Sequence, residues 1–360
     1  MTKPETVIRE DIRSLRAYHV APADGLLKLD AMESPYAMPE QLTDQWLRAL
    51  RDTALNRYPD ASMAECSSRL AKQLNLSDQY DVLWGNGSDE LIQILIQSIA
   101  SNDAVVMSPT PSFVMYQVVS LWNRVQHVGI DLDENFDIDI PAWRDAIATH
   151  QPAIIFLAQP NNPTGNLFSE TAVEQIIEMA PGLVVLDEAY LAYSSRDHQS
   201  YLDRYKNVVV MRTLSKEGFA GIRLGYLIAH SSWVTEFNKL RMPYNVNSLT
   251  QTTAALVLNH LSEISERAEL IVEERGRLTK QLSQLGLITY PSEANFIVAK
   301  SAYLGADVVE AMKTRGVLIK SLCGSHPLLT HCVRITVSSK DDNDIMLEAL
   351  EASLDALKQN

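Results

Sequence analysis

Short runs of uninterrupted apolar residues recur along the chain, each followed by a stretch with helical spacing. This alternation constrains the fold more than any other feature. Residues 153–157 (AIIFL), 183–186 (LVVL) and 208–211 (VVVM) contain no polar side chain. A strand with one face in water alternates apolar and polar residues, so these runs need cover on both faces. Intervening helices supply that cover and make the crossovers that a parallel sheet requires. The same reading puts strands at 80–84, 104–107, 124–130 and 222–229, with helices at 41–55, 141–149, 169–179 and after Ser88. After Pro243 the pattern changes to a long helical region, 249–285, closed by Gly286. A strand at 295–299, a helix at 305–315, strands at 317–320 and 333–337 and a helix at 341–357 capped by Ser339 complete the chain. The expectation is an α/β fold. A large domain, 41–248, carries a mostly parallel, doubly covered sheet, and 1–40 with 249–360 build a smaller α/β domain.

In such a sheet a ligand sits beyond the carboxyl ends of the strands. Here those ends carry Ser88, Phe113, Asn162, Asp187 with Tyr190, and Thr213 to Lys216. A lysine at the mouth of a buried strand is costly to desolvate, which lowers its pKa and leaves an amine able to condense with a carbonyl. Thr213 and Ser215 flank it with hydroxyls, and Arg223 follows as a permanent cation. An amine, two hydroxyls and a guanidinium suit a phosphorylated aldehyde such as pyridoxal phosphate. On that reading Lys216 holds the cofactor and moves the substrate proton, while Asp187 keeps the ring nitrogen protonated. Tyr190 and Asn162 face the ring hydroxyl, and Phe113 lies on the ring. Ser88, the Asp89 backbone N–H, Thr213, Ser215 and Arg223 take the phosphate.

Each group also has a plainer reading. The run ending in Asp187-Glu188 fits a magnesium-binding ATPase strand, but the required GxxxxGK[ST] loop is missing from the sequence. Asn161 to Gly165 has the residues of an ordinary turn. Phe113 and Tyr116, taken singly, are core residues, and Arg334 could be the exposed member of an alternating strand. Found together, in order and at strand ends, the set favours a site.

The formal charge of −14 argues against a nucleic-acid partner, which demands a basic surface. It leaves room for small anionic substrates held by a local cluster of cations. Cys66, Cys323 and Cys332 are odd in number and scattered, which suits a reducing cytosol and offers no disulfide framework or metal site. No apolar stretch has the length of a membrane span, so a soluble, cytoplasmic protein is expected.

The segments NRYPD (56–60), GSDE (87–90), PSFVMY (111–116), PNNPTG (160–165), VVLDEAY (184–190), RTLSK (212–216), AGIRLGY (220–226), ANFIV (294–298) and VRITV (333–337) run through nearly the whole chain. In these the sequence resembles the fold-type I, class II pyridoxal-phosphate-dependent aminotransferases, and within them the histidinol-phosphate aminotransferase branch. The resemblance implies a homodimer with its site at the subunit interface, Tyr58 reaching the cofactor phosphate of the other subunit. It implies that Arg334 anchors the anionic end of the substrate and that Tyr18, in an N-terminal lid, closes over it. The implied reaction exchanges an amino group between L-histidinol phosphate and 2-oxoglutarate, giving imidazole-acetol phosphate and L-glutamate. Alternatives on the same scaffold are an aromatic amino acid aminotransferase and a decarboxylase or β-lyase, such as a threonine-phosphate decarboxylase. The sequence departs from the branch in three places. The interval from Lys216 to Arg223 is a residue short, the asparagine-containing NEN segment reads Met32-Glu33-Ser34, and Lys320 stands where a second substrate arginine is expected.

Overall fold

The apolar runs form one seven-stranded sheet in the computed structural model, which describes residues 2–17 and 21–359. In spatial order its strands are Tyr80–Asn86, Leu224–His230, Val208–Thr213, Leu183–Asp187, Ile154–Ala158, Val105–Thr110 and Gln126–Asp131. The three central runs are buried along their whole length, whereas the edge strand Gln126–Asp131 is largely not. Successive residues serve opposite faces, as the strand pleat requires. Leu183, Val185 and Val209 join one apolar cluster with Leu91, Leu95 and Phe237, while Val184, Leu186 and Val210 join the other with Trp143, Val173 and Ile176.

One strand breaks the parallel rule. Leu224–His230 runs antiparallel to both of its neighbours, and the remaining pairings are parallel. It therefore begins at the end of the sheet where the other strands finish. Its seven residues are nearly all buried, so nothing in its composition distinguishes it from a parallel strand.

A second, four-stranded antiparallel sheet follows the order Lys320–Ser321, Cys332–Thr336, Phe296–Lys300 and Ile288–Thr289. The strand expected at 317–320 divides. Val317–Leu318 pairs in parallel with Leu27–Lys28 from the N-terminal region, and only Lys320–Ser321 joins the antiparallel sheet. The helical region after Pro243 breaks once, into Ser248–Val257 and Leu261–Gln284, and Gly286 beyond it takes φ 85°. Ser339 caps the final helix, its Oγ accepting from the Asp342 N–H at 3.3 Å. Ser88 is not the cap expected of it: Gly87, at φ 80°, holds that position and Ser88 is the first helical residue of Ser88–Ser98. The helix Ser231–Asn238 and the two-residue strand Ile288–Thr289 were not expected from the sequence. Among the described residues no helix is long and apolar enough to cross a membrane.

Candidate active site

Six neighbouring strand ends converge on one cavity, lined by Ser88, Asp89, Phe113, Asn162, Asp187, Tyr190, Thr213, Ser215, Lys216 and Arg223, together with Met32. Five of these ends are carboxyl ends. The sixth is the start of the antiparallel strand Leu224–His230, which delivers Arg223. The short interval from Lys216 to Arg223 is taken up by a tight turn, Ser215–Phe219, with Gly218 at φ 98°, followed by Ala220–Ile222 and by Arg223 at φ 50°.

One side of the cavity is a cup of donors. Thr213 Oγ1 lies 3.0 Å from Ser215 Oγ, and Arg223 Nη1 lies 3.5 Å from that same oxygen. Ser88 and Asp89, the first residues of the helix Ser88–Ser98, line the same cavity, where the helix dipole favours an anion. The space is kept clear by glycine. A Cβ on Gly87 would come within 2.6 Å of Arg223 Nη2, and one on Gly225 within 2.6 Å of the Ser88 nitrogen. Asp89 was expected to contribute only its N–H, but its carboxylate pairs with Arg223 Nη2 at 3.2 Å. Three hydroxyls, a guanidinium and a helix start fit a phosphomonoester.

The other side holds the buried titratable groups. Burial, with Arg334 adding to it, lowers Lys216 from 10.5 to about 8. Its Nζ donates to the Ala31 carbonyl at 3.2 Å and lies 5.9 Å from the centre of the Tyr190 ring. Asp187 is 4 % exposed. Burial pushes its carboxyl up from 3.8 to about 6, although the Tyr116 hydroxyl donates to it at 2.7 Å and the Ala189 N–H at 3.2 Å. A buried carboxylate held by two neutral donors is one that a cationic ring nitrogen would satisfy. Asn162 bridges the next two groups, donating to the Tyr190 hydroxyl at 3.1 Å and accepting from Arg334 Nη1 at 2.6 Å. Burial raises the Tyr190 phenol well above its ordinary value, so it stays a donor. Arg334 is buried, not exposed as its plainer reading had it, and its guanidinium carbon lies 5.4 Å from the Phe296 ring centre.

Not every expected residue joins this cluster. Lys320 is exposed and sits directly across the antiparallel pair from Arg334. Tyr58 is 80 % exposed, stacked on Tyr244 at 4.5 Å, and does not line the cavity of its own chain. Tyr18 lies outside the described residues. Conversely, Tyr116 does more than its core reading allowed, because its hydroxyl is aimed at Asp187. The residue after Asp187 is committed elsewhere. Glu188 is fully buried between Arg212, at 2.7 Å, and His198, at 2.9 Å. Burial works against the Arg212 charge, but Glu188, together with Tyr226, more than restores it. That pairing leaves Glu188 no part in a magnesium site. Met32, which lines the cavity, and Ala31, whose carbonyl accepts from Lys216, were also missed, since an unperiodic N-terminal segment gives no sign of where it docks.

A sheet with this order, a lysine at one strand end and a buried aspartate at the next define the type of protein. The model of the class I and II aminotransferases matches residues 24–350, and the chain belongs to that family. Its relatives include enzymes named for one substrate. Histidinol-phosphate aminotransferase 2 of Nitrosococcus oceani is 44 % identical over 356 residues, 98 % of this chain and 99 % of that one. The histidinol-phosphate aminotransferase of Chromobacterium violaceum is 42 % identical over 348 residues, 96 % of this chain and 98 % of its own. Among solved structures, the histidinol-phosphate aminotransferase from Sinorhizobium meliloti, in complex with pyridoxal-5'-phosphate, has a TM-score of 0.88 at 23 % identity, covering 98 % of each chain. These findings bear out the fold class and the family resemblance read from the sequence.

Proposed function

We propose that the protein is a pyridoxal-phosphate-dependent transaminase that interconverts L-histidinol phosphate and 2-oxoglutarate with imidazole-acetol phosphate and L-glutamate, a step of histidine biosynthesis. The observation that carries the reading is the meeting of Lys216 and Asp187 in one cavity beside a cup suited to phosphate, with Arg334 held against the cavity residue Asn162. Full-length likeness to enzymes named for histidinol phosphate supports the choice of substrate.

Pyridoxal phosphate, when bound, supplies an electron sink that makes the substrate carbon next to the amine acidic. The chain's own groups then divide the work. The Lys216 amine, with a pKa near 8, has a useful neutral fraction at physiological pH and so can take and return that proton. The Asp187 carboxylate holds a protonated ring nitrogen. Asn162 and Tyr190 would hold the ring hydroxyl, and Phe113 would offer an apolar face to the ring. Ser88, the Asp89 N–H, Thr213, Ser215 and Arg223 hold the phosphate, with Tyr58 of the partner subunit completing the set in a homodimer. Arg334 binds the anionic end of the substrate, and Lys320, on the same face of the sheet, adds a second cation. Lysine lacks the bidentate fork, so that contact is a point charge. Tyr18 would close over the bound substrate.

A substrate panel tests the reading. L-Histidinol phosphate, phenylalanine and tyrosine are each offered to purified protein with 2-oxoglutarate, and glutamate, carbon dioxide and ammonia are measured. The expected result is glutamate in step with loss of histidinol phosphate. Preference for the aromatic amino acids, or carbon dioxide without glutamate, would contradict it.

A further inference from the structure

Three successive backbone carbonyls, the last of them in the cavity-lining Met32, accept from three different side chains. Asp30 O takes Arg334 Nη2 at 3.0 Å, Ala31 O takes Lys216 Nζ at 3.2 Å and Met32 O takes Asn295 Nδ2 at 3.0 Å. The Met32 N–H donates to Thr336 Oγ1 at 3.0 Å. Carbonyls alternate in a strand and line up along the axis in a helix, so neither could serve these partners. Met32 makes the fan possible by turning at φ 54°. A non-glycine residue held in that region is strained and persists only where its surroundings fix it.

The fixing groups are specific. Thr336 ends the strand that carries Arg334, and Asn295 immediately precedes the strand paired with it. Thr336 and Asn295 are 3 % and 1 % exposed, and the Thr336 N–H also holds the Leu29 carbonyl at 3.0 Å. A strained turn is thus bolted to the sheet of the anion-binding arginine while it holds the amine of the large sheet.

We infer that residues 30–32 form a positioning element for the Lys216 amine, with Met32, Thr336 and Asn295 as the residues that fix it. The inference rests on Lys216 being the reactive amine and adds how that amine is held relative to Arg334. A lysine arm has four flexible methylenes, so a single fixed acceptor restricts where its nitrogen waits. Adjacent carbonyls serve Lys216 and Arg334, which sets the proton-transferring nitrogen and the substrate anchor in one register.

The charged groups facing the amine are Arg334 and Arg223, which with burial lower its pKa, and Glu33 and Asp89, which raise it. Lys28 pairs with both Asp30 and Glu33. A carbonyl accepting from the ammonium favours the charged form, so displacing the turn moves the pKa further down.

Acylation of Lys216 by acetic anhydride in the full-length, cofactor-free protein, followed across pH by peptide mass mapping, reads this directly. Glycine and asparagine enter the left-handed region readily, whereas a β-branched residue does not. Met32→Gly and Met32→Asn should therefore keep the wild-type midpoint, while Met32→Ile and Thr336→Val should lower it by about half a pH unit or more. The reverse order at Met32 would show that the side chain, not the turn, is what counts, and would overturn the inference. Unchanged midpoints in all four variants would do the same. Should Met32→Ile fail to fold, Thr336→Ser against Thr336→Val decides, because serine keeps the acceptor. No substrate enters the assay, so an error in the proposed reaction leaves this result readable. A Lys216 midpoint at the ordinary value in the wild type would instead count against the reading beneath it.

Discussion

Asp187 shows what burying a carboxyl does to stability. Its folded carboxyl binds a proton more tightly than the unfolded chain does, because burial disfavours the charge. The stability that goes with that proton is complete below the ordinary 3.8 and is lost as pH rises through about 6. At pH 7, Asp187→Asn in the cofactor-free protein should therefore be the more stable by about 3 kcal/mol, with the difference gone near pH 4. Urea unfolding at the two pH values checks this, and equal differences at both would contradict it. Tyr116 works in the opposite sense, its hydroxyl holding the Asp187 carboxyl down. Tyr116→Phe should raise the Asp187 pKa further, weaken cofactor binding and lower kcat by about threefold to tenfold, measured by cofactor titration and steady-state kinetics. Asp187 and Lys216 were legible because a charged side chain ending an apolar run has few plain explanations. Tyr116 was not, since an aromatic residue in a helix that packs on a sheet looks like core until its hydroxyl is seen.

At the scale of elements, the strand Leu224–His230 decides the shape of the cup. Because it runs against its neighbours, its first residues meet the start of the helix Ser88–Ser98. A Cβ on Gly225 would lie 2.6 Å from the Ser88 nitrogen and 2.8 Å from the Gly87 carbonyl carbon, both backbone atoms that cannot swing aside. Gly225→Ala should cost about 1–3 kcal/mol in unfolding free energy and weaken cofactor retention. Gly221→Ala, with nothing within 4 Å, should leave retention unchanged. Equal retention in both variants would show that the cup is not as tight as described. The strands themselves were legible because burial on both faces writes itself into a run of apolar residues. The direction of Leu224–His230 was not, since a buried strand has the same composition whichever way it runs. Ile288–Thr289 is too short for any pattern, and the N-cap fell on Gly87 because the positive φ needed there favours glycine over a capping hydroxyl.

Across the whole molecule two sheets come together beside the cavity, through the contact of Arg334 with Asn162. The seven-stranded sheet brings the cup, Asp187 and Lys216, and the four-stranded sheet brings Arg334. Arg334→Lys keeps the charge but loses the fork that contacts Asn162 and the Asp30 carbonyl. It should raise KM for both substrates about tenfold to a hundredfold with a smaller effect on kcat, and a change confined to kcat would contradict an anchoring role. The sequence carried the meeting of the sheets only indirectly, through the family it resembles. Contacts such as Asn162 with Arg334 join residues far apart in the chain, and no local spacing encodes them. The proposed homodimer belongs to this scale as well. Sedimentation should give twice 40.2 kDa, and Tyr58→Phe should weaken cofactor affinity without altering that mass.

The most direct test of the account is reduction of the cofactor-loaded protein with borohydride, followed by peptide mapping. The pyridoxyl group should be found on the peptide containing Lys216 and should be missing from a Lys216→Ala variant. Labelling at another lysine, or none at all, would contradict the central claim that this amine is the covalent anchor.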